Sequence, residues 1–156
     1  LLSDAVKSQC VSEVPLGAFL SGGIDIYWRK KALRELSSLK PRKILDVATG
    51  TADVAIMAQK YLQPDQIIGI DISEGMLELG RKKIAKLKLN DRIALQSGDS
   101  ETIKFPDNSF DAVTVAFGVR NFQDLRKGLA EMLRVSFSTL MSKSSLFKPG
   151  AANSMR

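Results

Sequence analysis

The chain has 156 residues, with 23 Lys and Arg against 17 Asp and Glu, a formal net charge of +6, no histidine and a single cysteine, Cys10. Without histidine and with one thiol there is no Ser-His-Asp or Cys-His catalysis, no Cys/His zinc site and no intrachain disulfide, and no metal site is read. Chemistry must therefore come from carboxylates, hydroxyls, Lys and Arg, backbone groups or a bound cofactor.

The length and a 44% hydrophobic, 26% charged composition suit one globular domain with a buried core. Elements are legible from Ile24 onward. Trp28, Ala32, Leu36 and Leu39 recur at helical spacing between charged positions, with Asp25 as a candidate N-cap and Pro41 as the stop. A β-prone run from Lys43 to Ala48 ends at Thr49-Gly50-Thr51, and a second helix is predicted from about Asp53 to Tyr61. Gln66 to Asp71 is too apolar for a half-exposed strand and reads as a buried one. Ser73 and Glu74 open a helix on which Met76, Gly80, Ile84 and Leu87 share a face. Arg92 to Gln96 is a third strand, Phe105 to Asn108 a turn, and Phe110 to Phe117 a fourth strand. Asp124 starts a helix carrying Leu125, Leu129, Met132 and Leu133. Strands alternating with helices through short connections predict an α/β fold: a doubly wound, Rossmann-like parallel sheet.

In such sheets ligands bind beyond the carboxyl ends of the strands. Asp46, Gly50 and Thr51 stand at that end of the first strand, Asp71 closes the second, and Gly98-Asp99-Ser100 follows the third. Gly50 lets a ligand approach the backbone, and the helix after it offers its amino-terminal amides. Ala48 and Ala52 occupy positions where a dinucleotide fingerprint has glycine, which argues against a pyrophosphate cradle. Asp71 is suited to a pair of ribose hydroxyls, and Asp99 with Ser100 to an adenine amino group. Each aspartate alone reads rather as a loop or capping residue; their joint placement at three strand ends points to a nucleoside site.

These stretches also carry a resemblance. Gly23-Ile-Asp-Ile-Tyr-Trp-Arg-Lys-Lys-Ala, Ile44-Leu-Asp-Val-Ala-Thr-Gly-Thr-Ala-Asp, Gly69-Ile-Asp-Ile-Ser-Glu-Gly-Met-Leu, Pro106-Asp-Asn-Ser-Phe-Asp, Ala116-Phe-Gly-Val-Arg-Asn and Glu131-Met-Leu-Arg-Val resemble the ubiquinone/menaquinone-biosynthesis C-methyltransferases. These are class I S-adenosylmethionine-dependent enzymes. The resemblance implies S-adenosyl-L-methionine as cofactor, held by Thr51, Asp71 and the Asp99-Ser100 pair with Gly50 at the methionine end. The family often has a contacting serine where this chain has Ala116. Arg120 and Asn121 would border the acceptor, a demethylmenaquinol-type quinol met at a membrane surface. Transfer of a sulfonium methyl depends mainly on alignment, so the lack of histidine is no obstacle.

Residues 1–23 fall outside this resemblance. With Ile24 and Asp25 they are similar instead to the synthetase domain of glutamine-dependent asparagine synthetase, whose Ser-Gly-Gly-x-Asp-Ser loop binds ATP pyrophosphate; here Ser21-Gly22-Gly23-Ile24-Asp25 is followed by Ile26. Two resemblances meeting at Gly23 to Asp25 suggest a junction between unrelated segments, a chimera. After Val135 the family pattern is also lost: residues 136–156 form a polar, basic tail in which Phe137 to Met141 is a candidate edge strand. The sheet is thus expected to be truncated after the fourth strand, with its open edge covered by a second copy of the chain. The alternatives to methyl transfer are a non-catalytic Rossmann-like scaffold and an ATP-pyrophosphate-binding module.

The charge does not suggest nucleic acid. Residues 1–23 carry −1, residues 24–135 carry 19 basic against 15 acidic side chains, and the tail carries +3 without an acid. The dense runs at Arg29-Lys30-Lys31 and Arg81-Lys82-Lys83 lie on predicted helices and read as solvated faces. No apolar stretch is long enough to span a membrane and no secretory leader is read, so a cytoplasmic location is expected.

Overall fold

A computed structural model describes residues 24–136 of the chain. The Ser21-Gly22-Gly23 loop and the edge strand expected over Phe137 to Met141 lie outside the described residues, as do the side chains of Trp28 and Arg120.

Helix α1 (Ile24–Ser37) leads into strand β1 (Lys43–Val47), helix α2 (Asp53–Leu62), strand β2 (Gln66–Asp71) and helix α3 (Glu74–Lys86). Strand β3 (Ile93–Ser97), strand β4 (Ala112–Val115), a 3₁₀ turn (Phe117–Asn121) and helix α4 (Leu125–Val135) follow. The four strands form one parallel sheet in the order β3-β2-β1-β4. The chain steps outward from β1 to β3, then crosses back to place β4 on the other side of β1. This is the expected doubly wound α/β arrangement, and its order reverses between β1 and β4.

Period-two alternation sends successive strand residues to opposite faces. Ile44, Ile67, Ile93 and Ala112 pack with Leu33 of α1, Ala55 and Ala58 of α2 and Ile84 of α3. Leu45, Val47, Ile70, Val113 and Val115 face the other way, onto Met132 and Val135 of α4 and onto Ile103 and Phe110 of the β3–β4 connection. The rings of Phe105 and Phe110 meet edge to face there, with centroids 5.0 Å apart.

Three details differ from the expectation. The buried face of α3 is Leu77, Gly80 and Ile84, while Met76 and Leu87 are exposed. Gly80, shared by the expected and the observed face, is a point of close approach: a Cβ there would lie 2.7 Å from the Leu95 side chain and 3.2 Å from the backbone of Thr51. Likewise α4 buries Gly128, Met132 and Val135 rather than Leu125 and Leu133, with Gly128 set against the Phe122 ring. On α1 it is Leu33 that is buried, Leu39 lies beyond the helix end and exposed, and the helix already contains Asp25. The expected cap at Asp124 is present, its carboxylate accepting from the Lys127 amide at 3.1 Å.

Candidate functional site

The register aligns Val47, Ile70 and Val115 across the sheet and pairs Asp71 with Ser97. The connections leaving the carboxyl ends of all four strands therefore open into one place, a cleft of about 560 Å³. That size is in the range of a small-molecule site. Asp46, Gly50, Thr51, Asp71, Asp99, Ser100 and Asn121 all border it, as does Ala116.

Asp46 is the floor. Its side chain is 1% exposed and accepts from the Thr49 hydroxyl at 2.6 Å and from the Thr114 hydroxyl at 2.7 Å. Burial pushes its carboxyl up to about 6, against the two threonine hydrogen bonds and the charge of Arg29, which pull it down. Asp46 thus ties the loop after β1 to β4 across the switch point. Thr114 is the polar interruption in the apolar run Ala-Val-Thr-Val, a signal the sequence did offer.

Above that floor the β1–α2 loop takes an unusual path. Gly50 has φ +56, and Ala48 and Ala52 share the left-handed region with φ +52 and +63. Alanine in that region carries a strain of about 1 kcal/mol. The two positions therefore keep the backbone shape glycine would favour, while adding methyl groups that crowd the loop. The Thr49 amide donates to the Ile70 carbonyl at 3.0 Å, and the Gly50 amide donates to the Asp71 carboxylate at 2.8 Å. The other oxygen of that carboxylate accepts from the Ser73 amide at 2.9 Å. Asp71 is thereby fixed by the loops on both sides of it and stays partly exposed to the cleft. Since the Gly50 amide is engaged by a carboxylate, it is not presented to a phosphate.

Thr51 and Asp53 form a cluster with Lys83 of α3. The Thr51 hydroxyl donates to Asp53 at 2.9 Å, and the Lys83 ammonium donates to Thr51 and to Asp53, both at 2.8 Å. Partial burial works to raise the Asp53 carboxyl, but the bonds from Lys83 and Thr51 outweigh it and hold the group below the ordinary range. Lys83 is thus no free surface charge. At the β3 end, Asp99 turns its carboxylate to the Glu101 amide at 2.8 Å, and Ser100 is half-buried beside it. Asn121 is exposed at the end of the 3₁₀ turn.

Sequence reasoning missed Arg29, which it assigned to a solvated face. The residue is half-buried and borders the cleft. Four residues before the buried Leu33, it lies on the same helix face, and that spacing was the available signal. The described lining carries the carboxylates of Asp46, Asp53, Asp71, Asp99 and Glu101 against this one basic side chain. Such a balance repels phosphate and suits a ligand bearing positive charge. S-Adenosylmethionine fits: it has no phosphate, a cationic sulfonium, and ribose hydroxyls that match a fixed carboxylate.

The ubiE/COQ5 methyltransferase family profile matches residues 14–139, and an asparagine synthase profile matches residues 1–25. The chain is 55% identical over 116 residues to a demethylmenaquinone methyltransferase of Bacteroides fragilis, a match covering 74% of this chain and 47% of that protein. It is 46% identical over 121 residues to a ubiquinone/menaquinone biosynthesis C-methyltransferase of Geobacter sulfurreducens, covering 77% and 47% respectively. The chain spans about half the length of these curated relatives. Among solved structures, a SAM-dependent methyltransferase from Aquifex aeolicus superposes with a TM-score of 0.61 at 28% identity, over 69% of this chain and 57% of that one.

Proposed function

The chain belongs to the ubiE/COQ5 methyltransferase family, and from that premise we propose that its cleft holds S-adenosylmethionine for C-methylation of a small-molecule quinol of the demethylmenaquinol type. The observation that carries the reading is the Asp71 carboxylate, oriented by the Gly50 and Ser73 amides at the end of β2 and still open to the cleft. Each of its oxygens keeps a lone pair for a ribose hydroxyl.

When bound, the cofactor supplies an electrophilic methyl group on sulfur. The chain's own residues hold and align. Asp71 would hold the ribose and Asp99 with Ser100 the adenine, while Gly50 would leave room beside the backbone for the methionyl portion. The strand order β3-β2-β1-β4 sets the residues that would hold the cofactor in a line, from Asp99 and Ser100 after β3 through Asp71 at the end of β2 to Gly50 after β1, with Arg120 and Asn121 in the turn after β4. Thr51 shapes the loop, its hydroxyl being engaged by Asp53 and Lys83. Asp46, below them, is a positioning residue.

Titration calorimetry with S-adenosylhomocysteine tests the reading. We expect the full chain to bind, and Asp71→Ala to weaken binding by about 100-fold, the scale of two hydrogen bonds to a charged group. An unaltered chain that gives no heat at millimolar ligand, or an Asp71→Ala variant of equal affinity, refutes it.

A further inference from the structure

Helix α4 is capped in part by a residue that does not belong to it. Asp124, its N-cap, supplies one half of a capping box, its carboxylate accepting from the Lys127 amide at 3.1 Å. The other half, an acceptor for the N-cap residue's own amide, normally comes from a Glu or Gln at the third helical position. Here that position is Lys127, whose side chain has no acceptor to offer. The Asp124 amide donates instead to the carboxylate of Glu101, at 2.9 Å. Glu101 stands 23 residues earlier, in the connection that leaves β3.

This bond joins segments that leave the two edge strands of the sheet, β3 and β4. On the β3 side, residues 99–102 form a tight turn: the Thr102 amide donates to the Asp99 carbonyl at 3.3 Å, and the Glu101 amide to the Asp99 carboxylate at 2.8 Å. Asp99, Ser100 and Glu101 all line the cleft. On the β4 side, Asn121, Phe122 and Gln123 line it and run straight into Asp124. The 3₁₀ turn before them is weakly closed, since its last bond, from the Phe122 amide to the Val119 carbonyl, is 3.5 Å long. Glu101 is half-buried, so its single bond to Asp124 competes with water. Whatever immobilises the 99–102 turn fixes the backbone from which Glu101 projects, and so reduces the entropy lost when that bond is made. The helix does not depend on this bond for its attachment: two residues further on, the Ile103 amide donates to Glu131 of α4 at 2.9 Å.

We propose that Glu101 is a positioning residue that links the two halves of the site: a nucleoside held at Asp99 and Ser100 steadies the Glu101–Asp124 bond and with it residues 121–124, so that the acceptor side of the cleft is ordered once the cofactor side is filled. The inference rests on the cofactor reading given above and extends it to the sequence in which the site is assembled.

Amide hydrogen exchange followed by nuclear magnetic resonance on the full chain tests it, with adenosine and S-adenosylhomocysteine as ligands. Adenosine has the ribose and the adenine but no amino-acid portion, so its direct contacts stay at the ends of β2 and β3. Either ligand should slow exchange of the Asp124 amide, and of its neighbours from Asn121 to Gln123, by about 5-fold or more, the lower end of coupling between two sites. Glu101→Leu should still bind adenosine, with the slowing in this segment reduced to less than about 2-fold. Glu101→Gln, whose side-chain carbonyl still accepts, should keep part of the response. A purely structural role for Glu101 would instead speed exchange in the leucine variant with and without ligand alike, leaving the ratio as it was. Equal slowing in the unaltered chain and in Glu101→Leu therefore overturns the proposal, as does adenosine that binds the unaltered chain without slowing the Asp124 amide. Should Glu101→Leu fail to fold, the adenosine response of the unaltered chain and its reduction in Glu101→Gln decide the matter. If the unaltered chain binds neither ligand, the cofactor reading itself falls, and the inference with it.

Discussion

Gly118 and Ala48 interlock where the loop after β1 meets the turn after β4, and the contact can be taken apart one methyl at a time. A Cβ placed on Gly118 would lie 2.0 Å from the Ala48 Cβ, far inside the ~3.5–4.0 Å of an ordinary carbon contact. Gly118→Ala must therefore push the 3₁₀ turn away from the loop, an overpacking that costs about 1–3 kcal/mol. Ala48→Gly alone should be close to neutral: at φ +52 it relieves about 1 kcal/mol of left-handed strain and gives back a similar amount in unfolded-chain entropy. In the double variant the clashing methyl is gone, and the new one meets only the Ala48 α-carbon at 3.5 Å and the carbonyl oxygen at 3.8 Å, both ordinary contacts. The pair should thus be non-additive by about 1–3 kcal/mol, with Ala48→Gly rescuing Gly118→Ala. Urea unfolding followed by far-ultraviolet circular dichroism on the four proteins measures this. Effects that add to within about 0.5 kcal/mol would refute the argument, because residues that do not touch behave that way.

Two further outcomes follow from the buried and bridging charges. Asp46 holds its proton up to about pH 6 when folded but releases it near pH 4 when unfolded, so its contribution to stability falls as pH rises across that window, by about 3 kcal/mol in all. Asp46→Asn should flatten that part of the pH–stability curve in urea titrations, and a variant curve parallel to the original between pH 4 and 6.5 would show that the buried carboxyl is not its source. Arg134 donates to the carbonyls of Ile103 and Phe105 and to Glu131 and Asp107; the two carboxylates raise its basicity, and its guanidinium, with the Ile103 amide, holds Glu131 below the ordinary range. Arg134→Lys should lower the urea midpoint nearly as far as Arg134→Met, since a single ammonium does not span four acceptors; full retention of the midpoint by the lysine variant would contradict that.

Much of this was legible in the sequence, and the failures share a cause. The strands were readable because each is short, apolar and bounded by turn residues, and the parallel order followed from the helices between them. On α3 the expected face held Gly80 and Ile84 correctly but took Met76 and Leu87 in place of Leu77, and on α4 it left out Gly128, which carries no apolar side chain yet lies against the Phe122 ring. β4 is shorter than expected, since the chain turns into a 3₁₀ segment at Phe117. In the site, the acidic residues declared themselves by their position at strand ends. Arg29 did not, because a basic residue in a basic run looks solvated until the tertiary fold shows which side of the helix the cleft is on. Ala48 and Ala52 were read as a departure from a glycine pattern. In the structure they retain its backbone shape, which residue identity alone does not reveal.

The loop from Thr49 to Ala52 is restrained from several sides. Asp46 holds it from below, the Ile70 carbonyl and Asp71 from β2, Lys83 and Gly80 from α3, and Gly118 packs against Ala48 where the loop begins. A segment so confined undergoes its ordering when the protein folds and not when ligand arrives. Little conformational entropy is then left in this loop to oppose an association that uses it. Affinity and fold stability become two readings of one set of contacts: substitutions on the far side of α3 that loosen Gly80 or Lys83 should reach the ligand without touching it, and bound ligand should in turn raise the unfolding temperature.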